Sequence, residues 1–205
     1  MTAVIVSGGA VPERLFEALS EALLVVACDS GAAAAVRLGL TPDIVLGDFD
    51  SISIDEAGRL APDAEFIAHP ARKDKTDTEL ALDVCLERGA DDIIITAATG
   101  SRLDHSLANV ALLGRSGARI RLMDGTNIAE VVRGRARIER RDGAFLSLLP
   151  FGGGVSGVSV SGVKYPLSGA SLPVGASLGV SNEFTGRFAD INVESGALLV
   201  IISRD

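Results

Sequence analysis

The pattern of apolar residues changes character near residue 124, and this change constrains the fold more than any other feature. Up to Asp124, short β-branched runs alternate with stretches in which apolar residues recur every three or four positions. Such alternation predicts a parallel sheet covered by helices, because parallel strands need a crossover connection between them. The predicted strands cover 3–7, 23–29, 43–48, 65–69, 92–98 and 119–124, and the predicted helices cover 12–22, 31–40, 76–90 and 104–118.

Beyond Asp124 the helical periodicity disappears, and short strands separated by Gly-rich turns take its place. This pattern of short strands and turns is typical of an antiparallel sandwich or barrel. We therefore predict an α/β chain in which a Rossmann-like parallel-sheet domain, residues 1–127, precedes an antiparallel β-sandwich domain, residues 128–205. The strands predicted in the second domain cover 136–141, 144–151, 155–160, 175–184, 187–195 and 197–203.

Charge and cysteine content narrow the possible partners and the location. The 205 residues include 19 Lys and Arg against 27 Asp and Glu, a net charge of −8, which argues against nucleic acid or an anionic membrane as main partner. An anion must then be bound locally, by a metal or by a few placed cations. Cys28 and Cys85 lie in apolar segments without metal-ligand spacing, and the sequence shows neither a signal peptide nor a membrane span. These features predict a cytoplasmic protein with reduced thiols.

Unusual polar residues follow five consecutive predicted strands. Ligands of open parallel sheets bind outside the carboxyl ends of the strands, so these residues are expected to share one crevice. The segments are Ser7-Gly8-Gly9, 28–31, 47–51, 71–77 and 99–105.

The acids in these segments predict a metal site. If the third strand continued through 48–50, Asp48 and Asp50 would point to the same face. Two like charges about 4 Å apart repel by roughly 4 kcal/mol at an effective dielectric of about 20, so a fold that keeps them close needs a cation, a shared proton or abundant water. With Asp29 and Asp77 they are expected to hold Mg²⁺ facing substrate phosphates. The cations expected to hold a polyphosphate at this rim are Arg72, Lys73 and Arg102.

Each segment also has a simpler interpretation. Asp29-Ser30 can cap a helix, Thr76 with Glu79 forms a capping-box pattern, and His105 can be a polar residue at a helix start. Asp43 after Pro42 is interpreted as a turn residue without a role in the site. The spacing alone does not choose between phosphoryl transfer, pyrophosphoryl transfer and hydrolysis.

Four motifs together resemble the thiamine pyrophosphokinase family over nearly the whole chain: G-D-F-D-S at 47–51, D-x-T-D at 74–77, S-R-L-D-H at 101–105 and S-N-E at 181–183. The resemblance implies transfer of the pyrophosphoryl group of ATP to the hydroxyl of thiamine, releasing AMP, with Mg²⁺ as cofactor. It also implies a homodimer whose active site lies at the subunit interface. One departure is Ser101, which stands where the family usually has a second glycine before the arginine.

The resemblance implies roles for individual residues. Asp48, Asp50 and Asp77, with Asp29 as a further candidate, would be metal ligands. Asp104 would face the reacting hydroxyl or the thiamine ring, and Ser181 with Asn182 would contact thiamine from the β domain. The residues implied to orient the nucleotide are Ser51, Lys73, Asp74, Thr76, Arg102 and His105.

Three other functions stay open at this point. A pyrophosphokinase for another alcohol such as a hydroxymethylpterin would use similar motifs, although the β domain and its S-N-E segment favour thiamine. A metal-dependent phosphohydrolase normally has histidine ligands, and this chain contains His69 and His105 alone. A non-catalytic nucleotide or thiamine-binding protein would lack at least one metal acid, and none is missing here.

Overall fold

The computed structural model describes residues 1–17, 19, 22–70 and 74–205, and the chain divides into two compact units, Met1–Gly125 and Thr126–Asp205. The first unit contains a sheet in the order β6-β5-β1-β2-β3-β4, and every neighbouring pair of these strands is parallel. Its strands are β1 Thr2–Val6, β2 Leu24–Cys28, β3 Ile44–Gly47, β4 Glu65–Ala68, β5 Asp92–Thr96 and β6 Arg119–Met123. Its helices are α1 Gly31–Arg37, α2 Ile54–Leu60, α3 Asp77–Glu87 and α4 Leu103–Leu112.

The strand order reverses at β1, which has β2 on one side and β5 on the other. β1 and β2 are continuous apolar runs, and α1 and α3 both pack against them, so these strands form the centre of the core. At such a reversal the loops on either side turn away from each other, which leaves a crevice at the carboxyl ends of the strands. The predicted parallel-sheet domain is therefore confirmed, and its topology locates a ligand crevice between β1 and β5.

The helix predicted over 12–22 is wrong in the described part of that segment, 12–17, 19 and 22, where the backbone forms bends and irregular structure. A helix would pair the Phe16 N–H with the carbonyl of Pro12. Instead the Phe16 N–H donates to the Asp124 carbonyl at 2.8 Å, and the Phe16 side chain is buried. Tertiary packing thus overrides a favourable helical pattern.

Helix α2 was not predicted, although its start carries a capping signal. Ser53 is the N-cap, and its Oγ accepts a hydrogen bond from the Glu56 N–H at 3.2 Å. Ser53 and Glu56 have the spacing of a capping box, which predicts a helix start even in so short a segment.

The second unit consists of two antiparallel sheets, in the orders β12-β9-β14-β7 and β11-β10-β13-β8. Alternate residues such as Leu146 and Leu148 on β9 and Val158 and Val160 on β10 are buried, as expected for strands whose inner faces form a common core. The predicted antiparallel β domain is confirmed, but β7 and β11 were not predicted. Its strands are β7 Asn127–Val132, β8 Arg135–Glu139, β9 Phe145–Pro150, β10 Val155–Ser161, β11 Leu167–Leu172, β12 Gly179–Glu183, β13 Phe188–Asn192 and β14 Leu198–Ser203.

Among the helices of the described residues, none combines the length and the apolar character that a membrane crossing requires.

Candidate active site

A cleft of about 760 Å³ opens at the carboxyl end of the parallel sheet in the first unit. It is lined by the loops that follow β1, β2, β3 and β5 and by the first turns of α3 and α4. Four of the five polar segments that the sequence predicts to converge therefore contribute to it. The described part of the fifth segment is 74–77, of which Lys75, Thr76 and Asp77 line the cleft.

Three carboxylates form a cluster at this end of the sheet. Asp29, Asp48 and Asp50 each offer one carboxylate oxygen, and these oxygens lie within 4.8 Å of one another. Asp29 is buried, Asp48 is half-buried and Asp50 is exposed. The cluster gathers hard oxygen ligands of the kind that divalent cations such as Mg²⁺ prefer.

The acids converge through a loop rather than through a continued strand, so the predicted strand 43–48 is too long at its end. β3 stops at Gly47, and Phe49 adopts a left-handed backbone with φ 58°. The Phe49 side chain packs into the apolar cluster that surrounds Ala57 and lies 6.2 Å from the Phe66 ring. Because Phe49 anchors the centre of the G-D-F-D-S motif in the core, the two flanking aspartates are held together at the surface.

Asp29 connects the β2 and β3 loops. Its Oδ1 accepts a hydrogen bond from the Phe49 N–H at 3.0 Å, and a Cβ atom at position 47 would overlap the Asp29 carboxylate. Gly47 is therefore needed for this close approach. Asp29 itself has φ 45°, a left-handed conformation that costs about 1–2 kcal/mol for a residue with a Cβ and that concentrates at functional sites.

The environment of Asp29 disfavours its charge. The pKa of Asp29 is raised to about 6, mainly by burial and also by the charges of Asp77, Asp48 and Asp50, while the hydrogen bond from the Phe49 N–H acts in the opposite direction. A bound cation would reverse this penalty by favouring the carboxylate. The motifs make Asp29 the weakest candidate among the predicted ligands, whereas in the structure it is the most buried acid of the cluster.

The other predicted metal and nucleotide residues near α3 differ in their surroundings. Asp77 lies in the first turn of α3, lines the cleft and acts electrostatically on Asp29. Thr76 is the N-cap of α3, and its Oγ1 accepts from the Glu79 N–H at 3.2 Å, so the capping interpretation is correct for this residue. Asp74 is exposed. Arg72 and Lys73 lie outside the described residues.

Ser51 belongs to the lining of the cleft and supports the β2 loop. The Ser30 N–H donates to the Ser51 Oγ at 3.3 Å. Ser30 occupies the N-cap position of α1 but makes no side-chain hydrogen bond to that helix, so the predicted side-chain cap is absent there.

Arg102 and Asp104 form an ion pair on the opposite rim. Arg102 Nε donates to Asp104 Oδ1 at 3.1 Å and Nη2 donates to Oδ2 at 2.5 Å, a bidentate arrangement. These bonds lower the pKa of Asp104 to about 2, so its carboxyl group is ionised at neutral pH. Arg102 and the neighbouring His105 line the cleft. The pairing is a side-chain arrangement that sequence spacing did not indicate.

The two residues predicted to contact thiamine lie on β12 of the second unit. Ser181 has a left-handed backbone, with φ 58°, and its N–H donates to Ser147 Oγ at 3.0 Å. Asn182 is buried, its Oδ1 accepts from the Tyr165 N–H at 3.0 Å, and its Nδ2 donates to the Tyr165 carbonyl at 2.8 Å. Both ends of the Asn182 amide thus hold the backbone of Tyr165.

Two buried polar side chains that line the cleft, Thr78 and Asn109, are not predicted from the sequence. Ser7 Oγ and Thr78 Oγ1 are 2.9 Å apart and share a hydrogen bond that joins the β1 loop to α3. Asn109 of α4 donates from Nδ2 to the Ala98 carbonyl at 2.7 Å. The sequence does contain a signal for these residues. Thr78 and Asn109 are polar, but they stand at positions where the helical periodicity requires a buried side chain.

Fold and site together define a class of protein: an α/β protein with an acidic ligand cleft at a strand reversal, followed in the chain by an antiparallel β unit. The family model described as "Thiamin pyrophosphokinase, catalytic domain" matches residues 15–123, and "Thiamin pyrophosphokinase, vitamin B1 binding domain" matches residues 135–198. The chain belongs to the thiamine pyrophosphokinase family.

Individual relatives agree with this membership. The thiamine pyrophosphokinase of Bacillus subtilis (strain 168) is 34% identical over 211 residues, which cover 98% of each chain. The crystal structure of thiamine pyrophosphokinase from Bacillus subtilis superposes with a TM-score of 0.90 at 31% identity, covering 100% of both chains. The crystal structure of a thiamin pyrophosphokinase family protein from Enterococcus faecalis superposes with a TM-score of 0.89 at 30% identity, covering 100% of both chains. The predicted family is confirmed, and the pterin, phosphohydrolase and non-catalytic alternatives are not favoured.

Proposed function

We propose that the cleft of the first unit is where this chain transfers the pyrophosphoryl group of ATP to the hydroxyl of thiamine, giving thiamine pyrophosphate and AMP. The reaction is that of the family, so the predicted enzyme class, an ATP:thiamine pyrophosphotransferase, is confirmed by membership. The assignment to this cleft is carried by one observation, the convergence of Asp29, Asp48 and Asp50 at the carboxyl ends of β2 and β3.

The carboxylate cluster fits Mg²⁺. The three acids provide oxygen ligands within 4.8 Å of one another, and the raised pKa of Asp29 reflects its burial beside other carboxylates. When bound, Mg²⁺ would neutralise charge on the phosphate oxygens of ATP. Asp48 and Asp50 are proposed as direct ligands, Asp29 as a ligand from the buried side, and Asp77 as a ligand or an acid of the surrounding shell.

The nucleotide is proposed to bind along the strand-end loops. Arg102 supplies positive charge on the rim, while Ser51 and Thr76 offer hydroxyl groups and His105 a ring nitrogen in the same cleft. Lys73 and Asp74 are proposed from the family motif to complete this set.

Asp104 is proposed to orient the nucleophile. Its ionised carboxylate can accept a hydrogen bond from the hydroxyl of thiamine, and Arg102 holds that carboxylate through two hydrogen bonds. Positioning of this kind supplies most of the protein's contribution to phosphoryl transfer, because the transition state is loose and needs alignment more than covalent assistance. In the second unit, Ser181 and Asn182 are proposed to contribute to the thiamine site.

The products of the reaction test this proposal. Purified protein incubated with ATP, Mg²⁺ and thiamine is expected to release AMP and thiamine pyrophosphate in equal amounts, measured by chromatography. A hydroxymethylpterin in place of thiamine serves as the control and is expected to give no AMP above background. Formation of ADP or of free phosphate as the main product would contradict pyrophosphoryl transfer.

A homodimer with the active site at the subunit interface is also proposed. The resemblance to the family is the main support, and exposed apolar side chains in each unit add to it. Leu103 and Leu107 of α4 are 69% and 58% exposed, and Val174 and Leu178 of the second unit are 75% and 68% exposed. Sedimentation at micromolar concentration is expected to show a dimer, and a fully active monomer would overturn the proposal.

The cytoplasmic location predicted from the sequence stays a proposal. Its support is the pair of buried thiols, Cys28 and Cys85. Burial raises the pKa of Cys85 to about 12, which keeps this thiol protonated and unreactive.

A further inference from the structure

Asn109 is a polar residue in a place where a helix normally buries an apolar one. It is the buried residue of α4, at 6% exposure, while Leu103 and Leu107 of the same helix are exposed. Its Nδ2 donates to the Ala98 carbonyl at 2.7 Å, and the residue lies in the floor of the cleft. A buried amide contributes through its hydrogen bonds, and removing one partner leaves the other unsatisfied.

The hydrogen bond from Asn109 is one of four that are accepted by successive backbone carbonyls at the end of β5 and in the loop that follows it, residues 96–99. The carbonyls of Thr96, Ala97 and Thr99 accept from the backbone N–H groups of the β1 loop, at 2.9, 2.7 and 2.7 Å. The Ala98 carbonyl accepts from Asn109 instead, directly after Ala97, whose backbone is left-handed with φ 49°. Three of these bonds tie the β5 loop to β1, and the fourth ties it to α4.

Ser106 adds a second connection from the same face of α4, since residues three apart on a helix are neighbours. Its Oγ accepts from the Gly100 N–H at 3.2 Å and donates to the Arg102 carbonyl at 3.1 Å. The segment 98–102 is therefore held at Ala98 by Asn109 and at Gly100 and Arg102 by Ser106. Arg102, with its partner Asp104, follows directly from this fixed segment.

We propose that Asn109 is a positioning residue for the reaction: by holding the Ala98 carbonyl it fixes segment 98–102, and through it the orientation of the Arg102 and Asp104 pair. This inference rests on the proposed function, because it gives Asp104 the role of orienting the nucleophile. The side chain must be a donor at this position. Aspartate has the same shape but would bring a second acceptor against the carbonyl, and leucine has a similar volume without any donor.

The test combines steady-state kinetics with a double-mutant cycle. Asn109→Leu is expected to lower kcat about tenfold or more with little change in the KM for thiamine, because the substrate still binds while the reacting groups are misaligned. Asn109→Asp preserves the shape of the side chain and should show the same decrease in kcat. This variant replaces Asn109→Leu in the test if the leucine variant folds poorly. In an Asp104→Asn background, Asn109→Leu should lower kcat by less than about twofold further, because residues that act as a unit are not additive.

Leu113→Ala provides the control for a merely structural effect. Leu113 is the C-cap residue of α4, is buried at 3% exposure, and is not among the residues that line the cleft. The Leu113→Ala variant should lower the melting temperature by as much as Asn109→Leu does, and its kcat should stay within about twofold of that of the parent.

The outcomes separate this inference from the proposed function. Normal turnover of Asn109→Leu beside a poorly active Asp104→Asn would overturn the positioning role alone, as would full additivity in the cycle. Normal turnover of Asp104→Asn would overturn the proposed role of Asp104 and the positioning role with it.

Discussion

Asparagine in place of either Asp48 or Asp50 is expected to leave the chain folded and to lower kcat by about 100-fold or more. The substitution preserves the size of the side chain and its hydrogen bonding but removes one of three clustered negative charges. If these acids hold Mg²⁺ as proposed, loss of one would weaken the neutralisation of charge that develops as the bond to the leaving AMP breaks. The effect should therefore fall on kcat more than on the KM for thiamine. Steady-state kinetics of each variant across a titration with Mg²⁺ measure this effect on kcat and on the KM for thiamine.

Asp43→Asn is the matched control for this experiment. Asp43 lies just before β3, at the opposite end of the strand, where its Oδ2 accepts from the Val25 N–H at 2.7 Å. An amide oxygen can accept the same hydrogen bond, so turnover should stay near that of the parent. Near-normal turnover of the Asp48 and Asp50 variants at low Mg²⁺, or equal damage by Asp43→Asn, would show that the metal assignment is wrong.

The parallel sheet could be predicted because its signal is local and repeated. Each central strand has a continuous apolar run rich in β-branched residues, as in Ile93, Ile94 and Ile95 of β5, all buried. The segment around Phe16 shows the limit of such reasoning. Its helical pattern is favourable by itself, but the hydrogen bond from Phe16 to Asp124 joins residues more than 100 positions apart, and no periodicity encodes that pairing.

The candidate site could be predicted at the level of residue types but not of geometry. Asp48 and Asp50 do converge, yet the cause is Phe49, which packs into the core and turns the chain, rather than alternation along a strand. The burial of Asp29 depends on the absence of a side chain at Gly47, and the pairing of Arg102 with Asp104 depends on rotamers. These are features of three-dimensional packing, so a motif can name the residues without showing which of them is buried or paired.

The second large effect concerns Asp29, for which stability and activity should change in opposite directions. Asp29→Asn is expected to lower kcat by about 100-fold, as for the other cluster acids, and to stabilise the metal-free protein at pH 7. The folded pKa of about 6 lies above the ordinary value of about 3.9, so folding disfavours the charged form by up to about 3 kcal/mol. Asparagine carries no charge and can still accept the hydrogen bond from the Phe49 N–H.

The pH dependence of this stabilisation identifies its cause. Below about pH 4 the carboxyl group is protonated in both the folded and unfolded states, so parent and variant should have similar free energies of unfolding. Between about pH 4 and 6 the folded parent holds a proton that the unfolded chain has lost, so its stability falls relative to the variant as the pH rises. Above pH 6 the difference in free energy of unfolding should stay constant.

Denaturant unfolding of both proteins with EDTA, from pH 4 to 8, measures this difference. Added Mg²⁺ should stabilise the parent more than the variant. A constant difference across the whole range would mean that the Asp29 charge does not cause it, and equal stabilisation by Mg²⁺ would remove Asp29 from the proposed metal site.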